Sequence, residues 1–120
     1  MPPEEEVYVD EVGQLAKQAL APAVSKTAPL GANETFTSDV FNGSGYARVV
    51  GTVFADVEGT LYVEQSPDGT NWDVVEDITV GAGEKKGYTI EIVAPYIRVR
   101  YVNGPNPQTQ FRLYAFLRVM

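Results

Sequence analysis

From residue 35 to the C-terminus, apolar and polar residues alternate in short runs broken by turn-forming residues, and this period of two constrains the fold more than any other feature. Seven runs read as strands, over 34–41, 46–55, 60–65, 71–80, 85–93, 96–102 and 109–119. Asn42-Gly43-Ser44-Gly45, Glu58-Gly59, Ser66-Pro67-Asp68-Gly69, Gly81-Ala82-Gly83, Ala94-Pro95 and Asn103-Gly104-Pro105-Asn106-Pro107 separate them. Proline followed by Asp-Gly favours a type I turn, so 60–65 and 71–80 should form a hairpin. Alternation gives each run one apolar face: Val49, Gly51 and Val53; Leu61 and Val63; Tyr88, Ile90 and Ile92; Ile97, Val99 and Tyr101; Phe111, Leu113, Ala115, Leu117 and Val119. Short strands at about ten-residue spacing with no helix between them predict an all-β fold, an antiparallel β-sandwich or jelly roll of about seven to eight strands, with a barrel as the close alternative. No side-chain pattern recurs at a fixed interval, which argues against a solenoid or propeller.

Residues 1–34 lack this pattern and read as an N-terminal arm ahead of a domain over 35–120. Its acids Glu4, Glu5, Glu6, Asp10 and Glu11 precede any base, the first being Lys17. The spacing of Val12, Leu15, Ala16, Ala19 and Leu20 predicts a short helix over 11–21 with one apolar stripe. Gly13 weakens that helix by about 1 kcal/mol and Pro22 ends it. A helix of about ten residues is marginal alone, so its stripe has to dock on something. Residues 21–33, with Pro22, Pro29 and Gly31 among small side chains, read as an extended connector.

Composition narrows the chemistry. The chain has 120 residues, enough for one core that buries roughly two thirds of the unfolded surface. Sixteen acids against nine bases give a net charge of −7, which repels nucleic acid and anionic lipid, so neither is expected as a partner. Histidine and cysteine are absent, which excludes disulfides, iron–sulfur clusters, thiolate or imidazole metal sites and Ser–His or Cys–His nucleophiles. The Met-Pro-Pro-Glu-Glu-Glu start has neither the basic region nor the apolar stretch of a signal peptide, and synthesis in a cytosol is expected. Carboxylates Glu64, Asp73, Glu76, Asp77 and Glu91 are available on or beside strands, but nothing in their spacing selects a catalytic pair, and no enzyme is expected. No cofactor is implied.

Charge is unevenly distributed. No acid follows Glu91, whereas four of the five arginines, Arg98, Arg100, Arg112 and Arg118, lie beyond it. Alternation puts Tyr96, Arg98 and Arg100 on one face of their strand, and Arg112, Tyr114, Phe116 and Arg118 on one face of theirs. If the two strands pair, they share an outer face of arginines interleaved with aromatics. One account is a solvated face whose arginine stems cover apolar surface. The other is an interface, since Arg and aromatics are enriched at contact hot spots, with the acidic arm of another copy, or a partner, lying across it. Residues 66–73 admit calcium or a sugar platform at Trp72, but the spacing does not match an EF-hand loop and an Asx-type turn explains the same residues.

The runs GTLYVEQSPDGTNWD (59–73), VAPYIRVRYVNG (93–104) and QFRL (110–113) resemble small β-sandwich structural proteins of tailed bacteriophages. The resemblance covers roughly residues 35–120 and leaves the arm outside it. It implies a noncatalytic virion protein, made in the host cytoplasm, of the capsid decoration type. Such a protein binds the major capsid protein or another virion protein and stabilises the assembled state by mass action. Decoration proteins commonly occupy symmetry axes, so a homo-oligomer is expected, a trimer as first guess. The alternative is a carbohydrate-binding module that stacks glycans on Tyr62, Trp72, Tyr96 or Tyr114.

Overall fold

A computed structural model describes residues 21–120 and places nine strands in two antiparallel sheets. One sheet has the order β1 (Pro22–Lys26), β9 (Phe111–Arg118), β4 (Arg48–Ala55), β7 (Lys85–Glu91). The other has the order β2 (Thr35–Thr37), β8 (Tyr96–Asn103), β5 (Gly59–Ser66), β6 (Val74–Val80), and β3 (Phe41–Asn42) also pairs with β8. The period-two reading therefore holds, and the expected inner faces meet. Val49, Val53, Leu61, Val63, Ile97, Val99, Leu113 and Ala115 are buried between the sheets, where the Tyr101 and Phe111 rings lie 4.8 Å apart. Val119, expected on the inner face of the last strand, is exposed beyond the end of β9.

Residues 21–33 are not a connector. Pro22–Lys26 forms β1, an edge strand on β9, and Val24 and Leu30 enter the core. Proline is tolerated there because it is the first residue of an edge strand. The sandwich thus begins at Pro22 and not at residue 35. The strand expected over 34–41 is interrupted. Thr37 lies opposite Arg100 and Phe41 opposite Ile97, so four steps on one side match three on the other. That extra residue is a bulge, spanned by Ser38, whose backbone N–H donates to the Val99 carbonyl (2.8 Å) and whose Oγ accepts from the Val99 amide (2.9 Å). The helix expected over 11–21 lies outside the described residues, apart from Ala21, which is a bend.

Several strand ends fall short of the sequence expectation because side chains capture the backbone groups that would have extended the ladders. Asp68 accepts from the Thr70 and Asn71 amides, so β6 starts at Val74 and not at residue 71. Gln65 accepts from the Val93 and Ala94 amides, ending β7 at Glu91. Asp56 accepts from the Thr109 and Gln110 amides, delaying β9 to Phe111. Hydrogen bonds from the Thr109 hydroxyl and the Gln110 amide hold the Asp56 carboxyl below its usual range.

Candidate binding surface

The two strands that carry the arginines do not pair, so the condition for a shared outer face is not met. Strand β8 lies inside the five-stranded sheet and β9 inside the four-stranded one, so their outward residues face opposite sides of the sandwich. Arg98 and Arg100 are on one outer face, and Arg112, Tyr114, Phe116 and Arg118 are on the other. A ten-residue spacing is equally compatible with a hairpin within one sheet and with a crossing between sheets. The loop after Asn103 makes the crossing. It is anchored by the Asn103 side chain, which donates to the Gly31 (2.8 Å) and Asn106 (2.9 Å) carbonyls.

On the five-stranded sheet the arginines are already engaged. Register sets Glu64 opposite Arg98 and Tyr62 opposite Arg100. The Glu64 carboxylate, 4% exposed, accepts from Arg98 Nε (2.6 Å) and from Arg100 Nη2 (2.7 Å). The two guanidinium groups lie over the Trp72 and Tyr62 rings, 4.2 and 4.3 Å from the centroids. Burial pushes the Glu64 carboxyl up, but the hydrogen bonds and charges of Arg100 and Arg98 outweigh it, and the net shift is downward. A depressed carboxylate contributes stability above its unfolded pKa, and that contribution is lost as pH falls through the lower folded value. Glu64→Gln is therefore expected to lower stability by about 2 kcal/mol at neutral pH, discounted because both arginines are partly solvated. In urea melts against pH, the gap between variant and parent should begin to narrow as pH falls below the ordinary glutamate range and keep narrowing as pH falls further. A gap unchanged down to pH 3 would show that Glu64 is not the stabilising charge.

The outer face of the four-stranded sheet is different. Register aligns Arg48 with Arg118 and Glu91, Val50 with Phe116, Thr52 with Tyr114 and Gly87, and Phe54 with Arg112 and Lys85. Arg48, Lys85, Arg112 and Arg118 make no ion pair among the described residues, and Glu91 is the one acid among these aligned positions. Arg112 lies over the Phe54 ring at 4.4 Å, and the Tyr114 and Phe116 rings stack at 6.5 Å. Gly87 carries no side chain, which leaves a trough that runs along the strands. One end, 450 Å³, is bordered by Arg48, Val50, Phe116 and Arg118, and the other, 340 Å³, by Phe54, Lys85, Arg112 and Tyr114. This face is cationic and partly apolar, its charges have no acidic partner among the described residues, and it can bind an acidic amphipathic surface.

The structure thus splits the expected arginine site in two. Arg112, Tyr114, Phe116 and Arg118 stay together, joined by Arg48, Lys85, Val50 and Phe54, which the sequence reading did not include. Arg48 is the one arginine before Glu91, a signal usable only once β4 is known to lie beside β9. Glu4, Glu5, Glu6, Val12, Leu15, Ala19 and Leu20 lie outside the described residues. At the β5–β6 hairpin, amides of Asn71 and Thr70 hold the Asp68 carboxyl well below the usual range. Ser66 Oγ accepts from the Gly69 amide (2.8 Å), so the turn itself accounts for the residues that suggested calcium. Among the described residues, no group of three or more acids is placed to hold a metal ion.

Two packed antiparallel sheets whose outer faces carry arginines and aromatics define a small β-sandwich. The sequence pattern of the uncharacterised protein YqxG N-terminal domain matches residues 9–118, and the chain belongs to that family. The match reaches back into the arm, beyond the 35–120 limit of the phage-protein resemblance. The chain is 36% identical over 74 residues to the uncharacterized protein YqxG of Bacillus subtilis (strain 168), covering 59% of this chain and 24% of that protein. It is also 36% identical over 69 residues to the phage-like element PBSX protein XepA of the same strain, covering 57% of this chain and 25% of XepA. The crystal structure of PBSX exported protein XepA superposes with a TM-score of 0.73 at 30% identity, over 82% of this chain and 38% of that one. The chain spans about a quarter of the length of these curated relatives.

Proposed function

We propose that this chain is a noncatalytic structural domain of a phage-like element, of the capsid decoration type, which self-associates and binds an acidic protein surface of the particle. The observation that carries this reading is the cationic and aromatic outer face of the four-stranded sheet, whose cations make no ion pair among the described residues. Aromatic and arginine side chains around a central trough are the composition of a contact hot spot. Similarity to XepA, an exported protein of a phage-like element, supports the setting. Strand order adds to it: with β2 and β3 taken as one interrupted strand, the sheets read as a jelly roll, a fold used by viral capsid and lectin domains. The same fold class admits a glycan-binding module. Against that reading, Trp72 and Tyr62 each have one ring face covered by an arginine, which removes a stacking surface from two of the four candidate aromatics.

Particle incorporation tests the proposal. Particles released after induction of the element are banded on a gradient, and the chain is quantified against the major capsid protein. A fixed copy number in the particle band is expected, and the double variant Arg112→Glu, Arg118→Glu should lower it about tenfold, the effect of losing roughly 1.4 kcal/mol of binding. Recovery of the parent chain only outside the particle fractions would remove the structural reading.

A further inference from the structure

We infer that the trough on the four-stranded sheet takes one extended acidic segment of a partner protein, an inference that rests on reading this face as the binding surface. The segment lies along β4, with acids six residues apart at its two ends and apolar side chains between them.

Register arranges this face in four levels along β4, each two residues from the next. Cations occupy the outermost levels, Arg48 and Arg118 at one end and Arg112 and Lys85 at the other, and all four are exposed. The two levels between them hold no charge. Val50 and Phe116 are half-buried in one, and Thr52 lies between Tyr114 and the bare Gly87 in the next. Both ends of the trough are bordered by Thr52 and Gly87, so it is continuous along the strand. The outer face of the five-stranded sheet offers no such arrangement, because Glu64 already holds Arg98 and Arg100.

Charge and spacing together select the ligand. Three steps of two residues put the cationic ends about 20 Å apart, and a repeat of about 6.6–6.8 Å is that of an extended chain, whereas a helix repeats every 5.4 Å or so. Residues two apart in a strand share a face, so a segment with acids at its first and seventh positions and apolar residues at its third and fifth meets all four levels at once. Glu91 shares the level of Arg48 and Arg118, which leaves that end with one net positive charge, two cations less one acid, and the Arg112 and Lys85 end with two. The acid at the Arg112 end is therefore held more strongly. Hydroxyls of Thr52, Thr89 and Tyr114 border the trough and offer donors and acceptors to the segment's backbone.

Two fluorescein-labelled peptides of one composition test this on the full chain. The matched peptide is Asp-Thr-Val-Thr-Tyr-Thr-Asp, and the shifted peptide exchanges its last two residues, which puts the acids on opposite faces of the strand. In fluorescence polarisation the matched peptide is expected to bind at least about fivefold more tightly than the shifted one. Its amide shifts should fall on β4, β7 and β9 and spare β5 and β8. Arg112→Glu should weaken matched binding about tenfold. Gly87→Val fills the trough with a side chain whose Cβ has the Gly51 carbonyl oxygen, at 3.8 Å, as its nearest neighbour, so it should fold as the parent does and bind several-fold more weakly. Equal affinities for the two peptides, no saturable binding at millimolar peptide, or matched binding untouched by both variants would overturn the inference. Trough amides that move on dilution of the chain alone would give the face to a second copy and overturn it as well. A chain that enters particles yet binds both peptides alike sinks the ligand inference alone. Preference for the matched peptide in a chain absent from particles removes the structural function and leaves the ligand class standing.

Discussion

Gly51→Ala is expected to lower stability by about 3 kcal/mol, the sum of overpacking and a lost buried hydrogen bond. Gly51 sits in β4 on its inward face, between Ala115 of β9 and Tyr88 of β7. The Tyr88 ring crosses the strand there, and its hydroxyl donates to the Tyr114 carbonyl at 2.6 Å, tying β7 to β9 over the intervening strand. A Cβ at Gly51 would fall inside contact distance of the Tyr114 carbonyl oxygen and the Tyr88 hydroxyl. The nearer clash is with the carbonyl, which belongs to the β4–β9 ladder, so relieving it shifts that ladder and displaces the Tyr88 hydroxyl bound there. For a domain of this size, that cost corresponds to a fall in Tm of about 10–20 °C. Gly87→Ala, in the neighbouring strand of the same sheet, is the control. The nearest atom to its added Cβ is the Gly51 carbonyl oxygen at 3.8 Å, an ordinary contact, and its melt should stay within about 0.5 kcal/mol of the parent. Matching melts for the two variants would refute the packing argument.

Gln65→Leu is expected to cost a similar amount, about 3 kcal/mol, although it preserves volume and adds apolar surface. Gln65 is buried in β5, and its side chain serves the segment that leaves β7 for the opposite sheet. Its Oε1 accepts from the Val93 (2.8 Å) and Ala94 (3.1 Å) amides, and its Nε2 donates to the Glu91 carbonyl (2.8 Å). Leucine would leave two amides and one carbonyl without partners, at about 1–3 kcal/mol for each fully buried group and less where water reaches them. Amide exchange supplies a local readout: Val93 and Ala94 should exchange faster in Gln65→Leu than in the parent, ahead of global unfolding. Unchanged exchange at both amides would show that Gln65 does not hold this crossover.

The strands were legible because each is a local pattern. Leu61 and Val63 point inward and Tyr62 and Glu64 outward by the pleat alone, and the 66–69 turn carries its own hydrogen-bond partners in Ser66 and Asp68. What could not be read was adjacency. Strand β1 has one large apolar residue, Val24, among proline, alanine and serine, too short an alternation to stand out, and its partner β9 is about ninety residues away. The arginines show the consequence. Arg98 and Arg112 look equivalent in the chain, each alternating with aromatics, yet Arg98 meets Glu64, 34 residues earlier, and Arg112 meets no carboxylate among the described residues.

By itself, then, the sequence determined the all-β class, the inward and outward faces of nearly every strand, and the acidic character of residues 4–11. Those properties follow from side-chain periodicity and turn chemistry within a few residues. Only the tertiary structure decided which strands share a sheet, and therefore that the Arg98 and Arg100 charges are neutralised by Glu64 while Arg48, Arg112 and Arg118 gather on the other face with no ion pair among the described residues. Strand order is a property of long-range pairing, settled by how two apolar faces close over one core, and no local pattern encodes it.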